Sequence, residues 1–379
     1  MSKNIRYLII ESGLTQFILF MPVAYLLFSE IGLNQFQIGL LQAMFGVISF
    51  FLEVPFGYLA DKFSKKTINA LGDLFIAVAM LCYFFLTNFW QALFAELLLG
   101  IGFSLTNGAD SALLKAHCQK ENRNYSKLFS QMHAMKYSLN AVGAVVGGVV
   151  GAKDIRIVFL IQSVLFLGAF LFSFKVEDAG EKRVSEVHPV RDLLQVTKYC
   201  LRGHSELAYR IIFSAFLGAS TYYIVWFQTP IMLEAGIQIK FHGLIFGLAS
   251  LVSVLGSYLV SRKITLSFLS TLLLLGISYL MLGANIELYT VLLILVSSFA
   301  RGSNFAKITP YIQEETPNDL QSTSISVYQM VYRMFSVTLV LLVSYMGKLE
   351  YEYGLLTAGA ICLIGWAIFM IIKRSIKTS

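Results

Sequence analysis

The sequence predicts an all-α membrane protein with twelve transmembrane helices in two pseudo-symmetric six-helix bundles. Three observations carry that expectation. Of 379 residues, 57% are hydrophobic and 13% charged, with a mean hydropathy of +0.70; a water-facing globule carries roughly 25% charged residues. Apolar blocks recur at the length of about 20 residues that a helix needs to cross hydrocarbon. A single long polar segment divides those blocks six and six.

The first block, 7–28, is too long and lacks the small-residue cleavage site of a removable leader, so it reads as a membrane helix. Blocks follow at 38–60, 68–87, 89–113, 128–152 and 155–174. The fifth carries Lys136 near its middle. Residues 175–206 are the polar stretch and read as a cytoplasmic linker between a first bundle, 1–174, and a second, 207–379. Within the linker, RDLLQVTKYCLRG spaces its apolar residues like a helix lying in a membrane interface. The second set of blocks is 207–233, 241–261, 264–284, 287–308, 323–346 and 354–373, with Arg333 central to the eleventh.

Basic residues set the orientation. With a cytoplasmic N terminus, twenty-one of the 29 fall in cytoplasmic loops and tails, and only Lys153, Arg156, Lys240 and Lys348 fall outside. That asymmetry is the positive-inside pattern and puts both termini in the cytoplasm. The net charge of +7 is therefore a topology signal; no basic run interleaves with aromatics in a way that suits nucleic acid. Cys82, Cys118, Cys200 and Cys362 share no metal or disulfide spacing, and the five histidines form no ligand set, so no metal or cofactor is expected. The chain has no G-x-S-x-G, H-E-x-x-H or P-loop, which argues against an enzyme and against nucleotide-driven transport.

The two halves repeat. GYL at 57–59 matches GSYL at 256–259, and the loop 119–132 matches 316–330, both ending in Gln-Met, at an offset near 198. At that offset Lys136 falls beside Arg333. Two joined six-helix repeats suit a transporter with its substrate site between the halves.

GYLADKFSKK, at 57–66, resembles the signature loop of the major facilitator superfamily: Gly57, Leu59, Ala60, Asp61, Lys62, Lys65 and Lys66 match, while Ser64 stands where a second glycine is usual. The preceding Glu53-Val54-Pro55 resembles a drug-efflux-like bacterial branch. NGADSALL (107–114) and TPNDLQSTSIS (316–326) resemble further segments of that branch, with Lys115-Ala116 and Gln321-Ser322-Thr323 departing from its pattern. The resemblance implies that Asp61 is part of a cytoplasmic latch with Gly57, Lys62, Lys65 and Lys66, and Asp110 is a candidate partner. A plain interfacial anchor is the alternative for both acids.

Glu53 lies two helical turns deeper than Asp61, where an ionisable group is costly; it suits either a proton carrier or a structural acid. Glu96 is the second proton-coupling candidate, whereas Glu11, near the start of its helix, reads as snorkelling. Lys136 and Arg333 either bind an anionic substrate or neutralise buried acids. The small-xxx-small series Gly143, Gly147 and Gly151, with Gly148, permits close helix contact and resembles a helix-five motif of antiporters. In helix seven, Tyr222, Tyr223, Trp226, Phe227 and Gln228 offer aromatics and an amide; Trp226 and Gln228 are the cavity candidates.

The expected function is proton-coupled export of a small amphipathic compound by a monomeric carrier in a bacterial plasma membrane. Uptake or exchange of an anionic metabolite is the second reading. A non-transporting membrane sensor or a membrane enzyme is the reading from another class.

Overall fold

The computed structural model describes residues 3–62, 64–106, 109–177, 189–203, 205–317 and 321–378, some helical residues by their backbone alone. The described residues are predominantly helical and form no strand. In chain order the helices are α1 (Lys3–Gln16), α2 (Ala24–Glu30), α3 (Gln35–Lys62), α4 (Lys65–Phe84), α5 (Phe89–Thr106), α6 (Ala109–Lys120), α7 (Tyr125–Gly151) and α8 (Ile155–Lys175). After α9 (Pro189–Lys198) come α10 (Ser205–Ala219), α11 (Ile224–Glu234), α12 (Ile239–Ser261), α13 (Phe268–Ala284), α14 (Ile294–Glu315), α15 (Gln321–Met346) and α16 (Tyr351–Thr378).

Among the described residues, nine segments are long and apolar enough to cross a membrane, and α13 is a shorter apolar helix. The large apolar side chains of Phe51, Trp90, Val164 and Ile371 are exposed, as expected where lipid rather than water is the solvent. The chain is a multi-pass membrane protein.

Helix starts follow local chemistry. Asn34 and Gln37 cap α3 reciprocally, Gln37 N donating to Asn34 Oδ1 at 2.9 Å and Asn34 N to Gln37 Oε1 at 3.0 Å. Ser64, the departure from the signature loop, accepts from Thr67 N at 3.3 Å and caps α4. Asp154 accepts from the first turn of α8. Arg156, one residue on, meets Glu30 at 3.0 Å and donates to the Phe84 and Leu86 carbonyls, tying the ends of α2 and α4 to the start of α8.

The chain forms two compact units. The first comprises 1–33, 47–187 and 239–247; the second comprises 34–46, 188–238 and 248–379. α3 and α12 each give their first part to one unit and the remainder to the other. Inside each unit the packing repeats: α4 lies along α8 and α5, while α13 lies along α16 and α14. α1 packs on α8 and α7, and α10 on α16 and α15.

The linker helix differs from the interfacial helix read from its sequence. Val196 and Cys200 are buried against Leu207, Ile211, Ile308, Ile312, Val327 and Tyr328 of the second unit. Cys200 Sγ donates to Ser324 Oγ at 3.5 Å, and Tyr199 Oη to the Glu315 carbonyl at 3.3 Å. Amphipathic spacing alone does not distinguish a bilayer from a protein surface as the apolar partner; the buried cluster does. Leu194, on the opposite face, remains 64% exposed.

Candidate functional site

Two of the apolar blocks are interrupted at corresponding places. The first leaves helical geometry after Gln16 and resumes at Ala24; the other leaves it after Ala219 and resumes at Ile224. Interrupted helices in matching positions of two repeats point to a transporter's binding region.

In the α1–α2 break, Pro22 has no N–H and its ring excludes a helical carbonyl four residues back. Ile18 N turns to the Gln16 carbonyl at 2.9 Å, and Leu19 N donates to Gln162 Oε1 of α8 at 2.8 Å. The glycine series of α7 lies against this segment. A Cβ on Gly143 would stand 2.8 Å from Ile18 N, one on Gly147 would overlap the Leu19 carbonyl, and one on Gly151 would press into Val23. Gly148 uses another face of α7, where Gly243 of α12 approaches backbone to backbone.

The α10–α11 break is shorter and is held by hydroxyls. Ser220 Oγ donates to the Phe216 carbonyl at 2.9 Å, Thr221 Oγ1 to the Gly218 carbonyl at 2.7 Å, and Tyr279 Oη of α13 to the Ser220 carbonyl at 2.9 Å. Tyr223 packs on Tyr279 with ring centroids 5.5 Å apart and lies 3.9 Å from Cys362 Sγ. Tyr222 turns the other way and donates to Gln42 Oε1 at 3.3 Å.

Each interrupted helix is also tied by an asparagine five residues before its break. Glu11 Oε1 accepts from Asn69 Nδ2 of α4 at 3.2 Å. Ser214 Oγ donates to Asn304 Oδ1 of α14 at 2.7 Å, and Asn304 Nδ2 returns a bond to the Ser214 carbonyl at 2.9 Å. Glu11 is 3% exposed, so it does not snorkel: Asn69 and the neighbouring Ser12 hydroxyl, 3.5 Å from Oε2, provide it with a polar seat inside the unit.

Of the other residues singled out by sequence, Glu96 is buried in α5. Lys136 and Arg333 are half-buried in α7 and α15. Trp226 and Gln228 are buried in α11, and neither Gln228 Oε1 nor Thr229 Oγ1 has a hydrogen-bond partner among the described residues. Tyr223 and Phe227, read as cavity aromatics, belong to the packing: Phe227 fills the space left by Gly347 and Gly354. Lys65 and Lys66 are half-buried at the start of α4, with Lys66 Nζ 5.9 Å over the Phe174 ring. The side chains of Glu53, Asp61, Lys62 and Asp110, and the surroundings of Gly57, lie outside the described residues.

Sequence reading missed Asn69, Asp73, Gln162 and Tyr279. Asp73 is buried in α4, and Ser173 Oγ of α8 donates to its Oδ2 at 3.3 Å. The available signal was a polar residue inside an apolar block, which is costly unless it has work or a partner.

The family model for the Major Facilitator Superfamily matches residues 10–338. The chain belongs to the major facilitator superfamily. Among solved structures, a mutant of the nucleoside transporter NupG has a TM-score of 0.82 at 14% identity, covering 97% of this chain and 100% of that one. A POT family transporter crystallised with a thioalcohol-conjugated peptide has a TM-score of 0.71 at 14% identity, covering 99% and 96%. A bacterial homolog of the human lysosomal transporter Spinster, in an inward-facing and unoccupied conformation, has a TM-score of 0.75 at 13% identity, covering 99% and 98%. These likenesses establish the fold. An uncharacterized transporter, BU466, of Buchnera aphidicola subsp. Acyrthosiphon pisum (strain APS) is 29% identical over 92 residues, spanning 24% of this chain and 23% of that protein. Membership of that superfamily is what supports a transporter role for this chain.

Proposed function

We propose that this transporter is a proton-coupled exporter of a small amphipathic compound, working as a monomer by alternating access. Its twelve spans form two six-helix halves with both termini in the cytoplasm of a bacterial cell. The observation that carries the proton-coupled part is the placement of carboxyl groups. Glu11, Glu53, Asp73 and Glu96 fall inside the apolar blocks of the first half, whereas those of the second hold no acid beyond Glu287 at the edge of one. Glu11, Asp73 and Glu96 are buried. Buried carboxyls can take up and release a proton as their surroundings change.

In this reading Glu53 and Glu96 are the candidate coupling acids. Gly57, Asp61, Lys62, Lys65 and Lys66 form the cytoplasmic latch with Asp110. Trp226 and Gln228 meet the substrate beside the α10–α11 break, and the open valences of Gln228 and Thr229 suit its polar end. The test uses everted vesicles acidified inside, with lumenal pH followed by fluorescence while tetraphenylphosphonium, ethidium, a nucleoside or a dipeptide is added. Dissipation by one of the cations in wild type, lost in Asp61→Asn and in Glu53→Gln or Glu96→Gln, is the expected result. Normal dissipation in both glutamine variants would remove these two acids from the mechanism.

Uptake or exchange of an anionic metabolite is the second reading, favoured by half-buried Lys136 and Arg333 at matching places of the repeat. It predicts that Lys136→Ala and Arg333→Ala each lose transport of a small carboxylic acid.

A further inference from the structure

Gln162 sits in the middle of α8 with 0% exposure, in a helix whose residues are mostly apolar. Its Oε1 accepts the Leu19 N–H at 2.8 Å, and its Nε2 has no hydrogen-bond partner among the described residues. A leucine or methionine would fill the same volume without leaving a buried donor open, so packing does not explain the amide. Its one bond among the described residues goes to the Leu19 amide, inside the stretch where the helical ladder is interrupted.

A second, independent feature acts on the same stretch, at Phe17, Ile18 and Leu19. The backbone of Phe17, Ile18 and Leu19 lies where Gly143 and Gly147 have removed side chains from α7. The interruption is therefore gripped on two sides: α7 makes room for it and α8 supplies its missing acceptor. Thr15, Phe17, Ile18, Met21 and Tyr25 are only half-buried along this broken helix. An uninterrupted helix would turn by about 100° per residue through the gap, so the non-helical stretch sets how Met21 and Tyr25 are aligned with Thr15 and Phe17.

We propose that Gln162 is a positioning residue for transport. By holding the Leu19 amide it keeps the α1–α2 helix broken and fixes the alignment of the side chains on either side of the break toward the transported molecule. The proposal rests on the transport reading for its functional half. Gln162 does not itself touch substrate.

The test pairs Gln162→Met, which keeps length but removes the acceptor, with Gln162→Glu, which keeps an acceptor oxygen. Hydrogen–deuterium exchange on the full chain in nanodiscs reads the break directly. The segment 17–23 should exchange about tenfold faster in the methionine variant, the scale of one lost hydrogen bond, while the glutamate variant stays near wild type. In everted vesicles with tetraphenylphosphonium as probe, the methionine variant should raise KM more than it lowers Vmax per folded carrier, with rescue by glutamate. Unchanged exchange in the methionine variant overturns the assignment. Faster exchange with unchanged KM, or a loss confined to the amount of folded protein, overturns the positioning role. Wild type inert toward tetraphenylphosphonium counts against the export reading, and the exchange arm still decides whether Gln162 holds the break.

Discussion

The α1–α2 and α10–α11 helices are interrupted at matching places of a repeat, but by opposite means. At the first break, side chains are taken away: Gly143, Gly147 and Gly151 let the irregular backbone sink onto α7, and one amide from α8 supplies an acceptor. At the second, side chains are added: Ser220, Thr221 and Tyr279 bring hydroxyl donors to carbonyls. The sequence explains why the routes differ. α15, which packs on α10 as α7 packs on α1, contains no glycine at all. With no room for bare backbone to approach, the second break stays short and relies on hydroxyls. The lesson is that a duplicated fold keeps the irregularity while each half finds its own chemistry for satisfying the freed backbone groups.

The largest expected effect tests the glycine seat. Gly147→Ala places a Cβ into the Leu19 carbonyl, and neither backbone can rotate away. We expect a loss at or above the upper end of the roughly 1–3 kcal/mol typical of overpacking, seen as a large drop in thermal unfolding temperature of the purified carrier. Gly218→Ala, just before the second break, has the Asn304 amide and the Tyr332 ring as its nearest neighbours, at 3.2 Å. It should cost under about 1 kcal/mol, because side chains can yield. Equal losses would remove the distinction between the two breaks.

Next in size are the asparagine ties. Asn69→Leu withdraws a donor from a carboxyl group, worth about 1.5–3 kcal/mol when the acceptor is charged. Asn304→Leu removes two neutral hydrogen bonds at Ser214, about 0.5–1.5 kcal/mol each. Thermal unfolding of both purified variants checks this, and an Asn69→Leu loss below that of a neutral hydrogen bond would mean that Asn69 does not hold the Glu11 carboxyl.

Much of this fold was legible in the sequence, and the part that was not has a common cause. Among the described residues the apolar blocks fall largely on helix, with 7–28 and 207–233 interrupted and nine segments long and apolar enough to cross a membrane, and the glycine spacing at 143–151 announced a close approach. The spacing could not name the neighbour, because small-xxx-small describes one surface only. Pro22 hinted at the first break, but a proline within an apolar block is often carried inside a helix, as Pro55, Pro230 and Pro310 are here. The second break has no proline, and its hydroxyls are common in membrane helices. Gln162 and Asn69 were invisible as partners because their meaning depends on residues 143 and 58 positions away.

A smaller effect is expected at the second break. Tyr279→Phe removes the donor to the Ser220 carbonyl, together with that hydroxyl's bonds to Tyr223 and Ser297, and leaves the ring in place. The loss should be about 1 kcal/mol. Because Ser220 and Thr221 hold the turn locally, its exchange should quicken less than that of 17–23 in Gln162→Met. A larger change would mean that the second break, too, depends on a distant helix.

The least expected effect concerns thiols on which the two units can be compared directly. Cys118 is buried with Ile5, Leu114 and Met132 in the first unit, and Cys200 in the linker's dock on the second. Burial pushes both thiols above the ordinary value of 9.0; Glu121 adds to the rise at Cys118, while Arg123 there and the Ser324 hydroxyl at Cys200 oppose it. Folding therefore favours the protonated thiol, so each contribution to stability is complete below pH 9 and is lost as pH rises through the raised value. Since the thiolate is the reactive form, maleimide should label both slowly at neutral pH and faster as pH rises, at similar rates. Fast labelling of Cys200 alone would show that the linker leaves its dock. The second unit would then carry a loosely held strap where the first has a packed core, and the contrast between the halves would extend beyond their broken helices.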